Sequence, residues 1–271
     1  MNAELLKEKF ARLGARLELQ ETSGRLIRSR PELRLTLDVR SDAVGEFFDI
    51  RVRRDGQVEL DVTDLRRREQ HLLLSAVDPR GRHHYLCGHD EQHWFVAAIP
   101  EWASRVSTVF DAMEALKPVE VVDAQRRQGI KGDDRFRRKN AAYVRQGEWF
   151  FLPAPKLHVD KSQILSNEPL SRGNGSKPHW AEFLYRLGGE TVYVCEEFPQ
   201  GLRSAEYLKL LRDRSRARKW NWRRMQRNAR AYVKGKISHP DHKTIELYVW
   251  HMVVMNTEGQ SQAKQNVVFL D

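Results

Sequence analysis

The chain has 271 residues, 40% of them hydrophobic and 31% charged, with a formal net charge of +10 and two cysteines. That length admits one large or two ordinary domains, and two cysteines exclude a disulfide scaffold and fit a reducing compartment. The first residues, "MNAELLKEKF", carry early acids and no apolar core, unlike a signal peptide, and no window approaches eighteen apolar residues, which excludes a membrane-spanning helix; the expectation is a soluble cytoplasmic protein with no membrane partner.

The chain opens with a predicted amphipathic helix, since Leu5, Leu6, Phe10 and Leu13 fall at helical spacing. The period then changes to two. "LRLTLDVR" (33–40), "FFDIRVRR" (47–54) and "QVELDV" (57–62) alternate apolar and polar residues, as half-buried antiparallel strands do. "HLLLSAV" (71–77) leads into the turn Asp78-Pro79-Arg80-Gly81, and "HHYLC" (83–87) and "HWFVAAIP" (93–100) complete a meander. Trp102, Val106, Phe110, Met113 and Leu116 predict a covering helix over roughly 102–116.

The polar stretch 121–144, with its two glycines, reads as a linker between a domain at 1–120 and a second at 145–271. In the second, "EWFFLP" (148–153), "ETVYVCEE" (190–197), "RAYVKGKIS" (230–238) and "LYVWHMVVMN" (247–256) read as strands, and 204–220 as a helix beginning at Ser204 with Glu206 in its first turn. The expected fold is therefore β-rich α+β: an N-terminal antiparallel β-meander with covering helices, then a β-rich domain containing a basic helix.

The charge is uneven. Residues 1–125 carry a net −3, and residues 126–271 a net +13. The basic excess lies wholly in the second part, which localises any polyanion partner. Its densest run, 212–236, holds eight arginines and three lysines against Asp213 alone, interleaved with Trp220, Trp222 and Tyr232. Arg216, Arg218, Lys219, Arg223, Arg224, Arg227 and Arg230 are candidate phosphate contacts, and Trp220 and Trp222 candidate stacking faces. That combination suits RNA or single-stranded DNA better than major-groove readout. The alternative is a solvated face whose tryptophans pack the core.

Two clusters have metal-ligand character. His239 and His242 flank Pro240-Asp241 in a tight turn, His179 follows a glycine-rich loop, and Glu182 and His251 are further candidate ligands. Zinc takes three or four N, O or S ligands at about 2.0–2.3 Å, often two from one local turn. The alternative is turn histidines bonded to nearby backbone. The second cluster is Cys87, His89 and His93 around a hairpin end, against the alternative of an inward cysteine with surface histidines. "SRGNGSK" (171–177) has the composition of an anion-binding nest but not the spacing of a P-loop. No dinucleotide fingerprint, nucleophile elbow, kinase signature or H-E-x-x-H motif occurs.

"RQGEWFFLP" (145–153), "RGNGSKPHW" (172–180) and "HPDH" (239–242) together resemble a class of short uncharacterised bacterial proteins. That class has an RQGD-type entry to an apolar strand, a glycine loop ending near a histidine, and an H-x-x-H turn before a final strand. The resemblance spans roughly 145–258 and implies that His179 pairs with the turn; it implies no activity. The functional expectation is a non-enzymatic bacterial accessory protein whose basic C-terminal domain contacts nucleic acid, with a structural zinc. The alternatives are a metal-dependent, hydrolase-like enzyme built on His179, His239 and His242, and a protein-interaction component of a defence, mobile-element or ubiquitin-like conjugation system.

Overall fold

The computed structural model describes residues 3–26, 33–103, 105–171 and 177–261, so most of the glycine loop lies outside the described residues. The fold is β-rich α+β. Helix α1 (Ala3–Leu13) buries Leu6, Phe10 and Leu13, one stripe of the period-3.6 pattern, and leaves Leu5 outside. β1 (Arg16–Thr22), β2 (Leu35–Asp42) and β3 (Gly45–Arg53) form a sheet of order β1-β3-β2. The β2–β3 pair is antiparallel as expected. β1 was not foreseen as a strand, and it runs parallel to β3.

The meander itself is β4 (Glu59–Arg66), β5 (His71–Asp78), β6 (Gly81–Asp90) and β7 (His93–Ala98), antiparallel in sequence order. One face packs against α1 and the first sheet through Leu60, Leu72, Leu74, Tyr85 and Val96. The other packs Leu73, Leu86 and Ala97 against α2 (Val109–Ala115). Burial on both faces explains why β5 reads as a continuous apolar run rather than an alternating one.

The helix expected over 102–116 begins only at Val109. Thr108 and Asp111 form a capping box that fixes its start, and Trp102 is 63% exposed rather than part of the stripe. The stretch read as a linker carries α3 (Val119–Arg127) and the buried pair Ala142 and Tyr143.

The second part is built on β8 (Val144–Gln146), β9 (Trp149–Pro153), β10 (Leu165–Leu170), β11 (His179–Leu187), β12 (Glu190–Cys195), β13 (Phe198–Arg203), α4 (Ser204–Asp213), β14 (Arg223–Arg227), β15 (Arg230–His239) and β16 (His242–Met255). A six-stranded sheet runs β10-β11-β15-β16-β9-β8, and a small sheet runs β13-β12-β14. The large sheet buries Ala181, Leu184, Val233, Ile237 and Leu247 on one face. Phe150, Leu152 and Met252 on the other meet Val121 and Ala124 of α3. The basic helix expected over 204–220 stops at Asp213 and gives way to a 3-10 turn over Ser215–Lys219. Arginines at 212, 214, 216 and 218 would fall at repelling i,i+4 spacings on a longer helix. β8 and β11 were not foreseen either, nor were β10, β13 and β14, whose polar sequences lack an apolar alternation.

The two parts meet at several points. Thr257 Oγ1 donates to the Ala115 carbonyl at 2.7 Å, and Ser261 Oγ to the Ile99 carbonyl at 3.0 Å. Arg138 forms ion pairs with Asp90 and Glu91 at the β6–β7 hairpin tip. Between the parts lies a cavity of about 510 Å³.

Candidate metal centre

The β15–β16 hairpin turns on Pro240-Asp241 and pairs His239 with His242. β11 runs antiparallel to β15 with Trp180 opposite Ser238, which sets His179, at the start of β11, beside the hairpin end. The three imidazoles stack. Ring centroids are 4.2 Å apart for His179–His239, 4.7 Å for His239–His242 and 5.4 Å for His179–His242. One nitrogen from each lies within 4.8 Å of the others, so the three can hold a metal ion. Among the described residues, no fourth histidine, cysteine or carboxylate joins the group.

The side chains differ in readiness. His179 is 1% exposed, with the Trp149 ring 6.3 Å away. At His239, Nδ1 accepts from the Asp241 amide at 3.1 Å and Nε2 faces the Lys177 carbonyl at 3.3 Å, so an ion must displace one of these contacts. Among the described residues His242 Nδ1 is buried with no hydrogen-bond partner, and Glu91 Oε2 stands 3.9 Å from it. Burial first, then the neighbouring His239, lowers the His242 pKa. His242 is therefore neutral at pH 7, the form that ligates a metal.

The turn before β9 makes room for this arrangement. Gly147 adopts φ +56°, and a Cβ there would stand 2.7 Å from His242 Nε2. Gln146, fully buried, donates from Nε2 to the Lys243 carbonyl at 2.7 Å and to the Ile237 carbonyl at 3.4 Å, gripping both strands of the hairpin. Arg145 Nε donates to the Gly147 carbonyl at 2.8 Å. On the far side, Glu91 of the β6–β7 tip accepts the Lys243 amide at 2.8 Å. Gln146 and Gly147 were not among the sequence candidates, and the sequence sets Glu91 beside Cys87, His89 and His93 rather than beside His242. The Arg-Gln-Gly run was noted only as the entry to a strand, and nothing local connects Glu91 to a turn about 150 residues away.

Glu182 and His251 stand apart from the group. Alternation along β11 buries His179 and Ala181 and exposes Trp180 and Glu182, so Glu182 faces away from the cluster. Its carboxylate accepts the Lys236 amide at 2.8 Å across a bulge at Gly235. His251 sits nine positions beyond His242 on β16, about 30 Å along an extended strand, where Nδ1 meets the Val249 carbonyl at 2.7 Å.

The Cys87–His89–His93 cluster does not assemble either. Cys87 is fully buried in the core, and burial pushes its thiol pKa up, away from the thiolate a metal needs. His89 is paired with Trp94, and their rings are 4.9 Å apart. His93 is paired with Asp90 on the opposite face, where its Nδ1 bonds Glu46 at 2.6 Å. A period of two separates residues 87 and 89 from 93 once the register is fixed.

The basic run is spread over three elements. Arg216, Arg218 and Lys219 occupy the 3-10 turn, Arg223, Arg224 and Arg227 lie on β14, and Arg230 begins β15. Trp220 and Trp222 are partly buried, with Phe198 centroids at 5.9 and 6.0 Å, and Trp222 Nε1 donates to the Ala217 carbonyl at 2.8 Å.

His239 and His242 open onto the 510 Å³ cavity, whose wall also carries Asp90, His93, Glu148 and Lys177. Among the described residues, no helix is long and apolar enough to cross a membrane. Comparisons with protein-family models, with curated proteins and with solved structures each returned no match. The fold and the site together define a β-rich α+β protein with a three-histidine group able to hold a metal ion.

Proposed function

We propose that the protein is a metal-dependent enzyme of hydrolytic type, with zinc held by His179, His239 and His242. The observation that carries this reading is the number of ligands and where they open. Structural zinc is closed by four protein ligands, whereas catalytic zinc keeps three and leaves a position for water or substrate. Here the group has three histidines, and two of them, His239 and His242, border a cavity large enough for a small substrate.

Zinc held by His179, His239 and His242 would supply an activated water nucleophile at neutral pH. Glu148 is the candidate general base. It lines the same cavity, forms no ion pair with a described residue, and is among the groups that raise the His242 pKa. The residues Arg145, Gln146 and Gly147 hold the histidines rather than react.

The test is hydrolysis of ester, amide and phosphoester panels by zinc-loaded, chelated and reconstituted protein. The expected result is a turnover lost on chelation, restored by zinc, and absent in folded His239→Ala. A turnover that survives both chelation and His239→Ala, or none on any panel with stoichiometric zinc bound, would overturn the enzymatic reading.

A further inference from the structure

We propose that a second site, a track for single-stranded nucleic acid, runs from the 3-10 turn after α4 along β14 and onto the part of the large sheet that exposes Lys234, Lys236 and Tyr248. It does not depend on the metal centre.

The first observation is uncompensated charge. Arg216, Arg218, Lys219, Arg223 and Arg224 are all exposed, and none forms an ion pair with a described residue. Within 212–236 Asp213 is the one acid in the sequence, and the acids that other strands bring to the run are Glu190 beside Arg227 and Glu182 and Glu246 beside Lys236. Only Arg227 is neutralised, by Glu190 at 2.6 Å. β14 is an edge strand, so its outer side stays open. The Trp220–Trp222–Phe198 packing fixes the basic segment in place, leaving its cations presented on a rigid support.

The second observation continues the track. β15 follows β14 directly, and Arg230, Lys234 and Lys236 along it are exposed and form no ion pair with a described residue. Val233, Ile237 and Leu247 are in the core, whereas Lys234, Lys236 and Tyr248 are exposed and Trp250 is half-buried. There Tyr185 and Trp250 have centroids 6.4 Å apart, and Tyr248 is 77% exposed. Aromatic rings on the strands either side of β15, beside its exposed lysines, suit unpaired bases with their phosphates. A duplex would hide the base faces from those rings. Charge complementarity, with a net +13 over residues 126–271, fits a polyanion as the occupant.

The test uses the full chain and fluorescence anisotropy of a labelled single-stranded oligonucleotide between about 50 and 200 mM salt. A duplex of the same sequence and phosphatidylserine vesicles serve as competitors. Wild type should prefer the single strand, with affinity falling as salt rises. Arg223→Gln with Arg224→Gln should make the salt slope shallower by about 1.4, from about 0.7 per lost phosphate contact. Tyr248→Ala, at an exposed position the fold does not need, should weaken single-strand binding by about 5- to 100-fold. The proposal is overturned by no binding at 50 mM salt, by binding that both variants leave unchanged, or by preference for duplex or vesicles.

Discussion

The backbone of Gly147 lies against the His242 ring so closely that a Cβ would stand 2.7 Å from Nε2. A side chain there would press on His242, a candidate metal ligand, and φ +56° is itself a left-handed conformation that costs a non-glycine residue about 1–2 kcal/mol. Gly147→Ala is therefore expected to lower zinc affinity by about tenfold or more, with only that modest loss in unfolding free energy. Competitive zinc titration beside chemical denaturation measures both. Unchanged affinity would mean that His242 does not ligate through this geometry.

Glu91 reaches the hairpin from the other part of the chain. Its Oε2 accepts the Lys243 amide and stands 3.9 Å from His242 Nδ1, the place from which a carboxylate orients a ligating histidine. Glu91→Gln keeps an acceptor for the amide but removes the charge. Zinc affinity should fall by about 10- to 100-fold while the fold persists. The d–d spectrum of the cobalt-loaded variant should shift relative to wild type. Equal affinity and an equal spectrum would assign Glu91 to hairpin anchoring alone.

The N-terminal part should be acid-sensitive through His71. Burial lowers its pKa to about 4 from the usual 6.5, and it packs edge-on to Phe95 at 5.4 Å. The folded state holds this ring neutral while the unfolded state protonates it more readily. No contribution arises above about pH 6.5, and stability is lost as pH falls from there toward 4. The loss from this group is about 3 kcal/mol across that window. Urea unfolding at stepped pH should show that slope in wild type and a flatter one in His71→Gln. The same slope in both would place the sensitivity elsewhere.

Much of this architecture was legible in the sequence because the signal was periodic. The α1 stripe and the alternation in β4 report burial on one face, and the structure places them so; β2 and β3 put their alternating apolar residues in the same core but bury Thr36, Asp38 and Asp49 on the other side as well. The Pro-Asp turn announced that His239 and His242 would be neighbours, and His179 joined them. What stayed hidden depends on pairing across distance. Glu182 and His251 fail as ligands through strand parity and length. His93 separates from Cys87 through its register with Asp90. Gln146 and Gly147 matter only because β8 and β9 lie beside the hairpin end, and Glu91 only because the meander tip reaches it. The basic run was visible as composition, but its division into a 3-10 turn, an edge strand and a sheet face was not.

The measurement that tests the central claim most directly is metal content per chain, by elemental mass spectrometry, on untagged protein. Wild type is compared with the His239→Ala/His242→Ala double variant, each before and after zinc reconstitution and desalting. Close to one zinc per wild-type chain is expected, with loss of that zinc in a folded double variant. Wild type that retains no metal after reconstitution, or a double variant that retains as much as wild type, would contradict a metal centre at His179, His239 and His242.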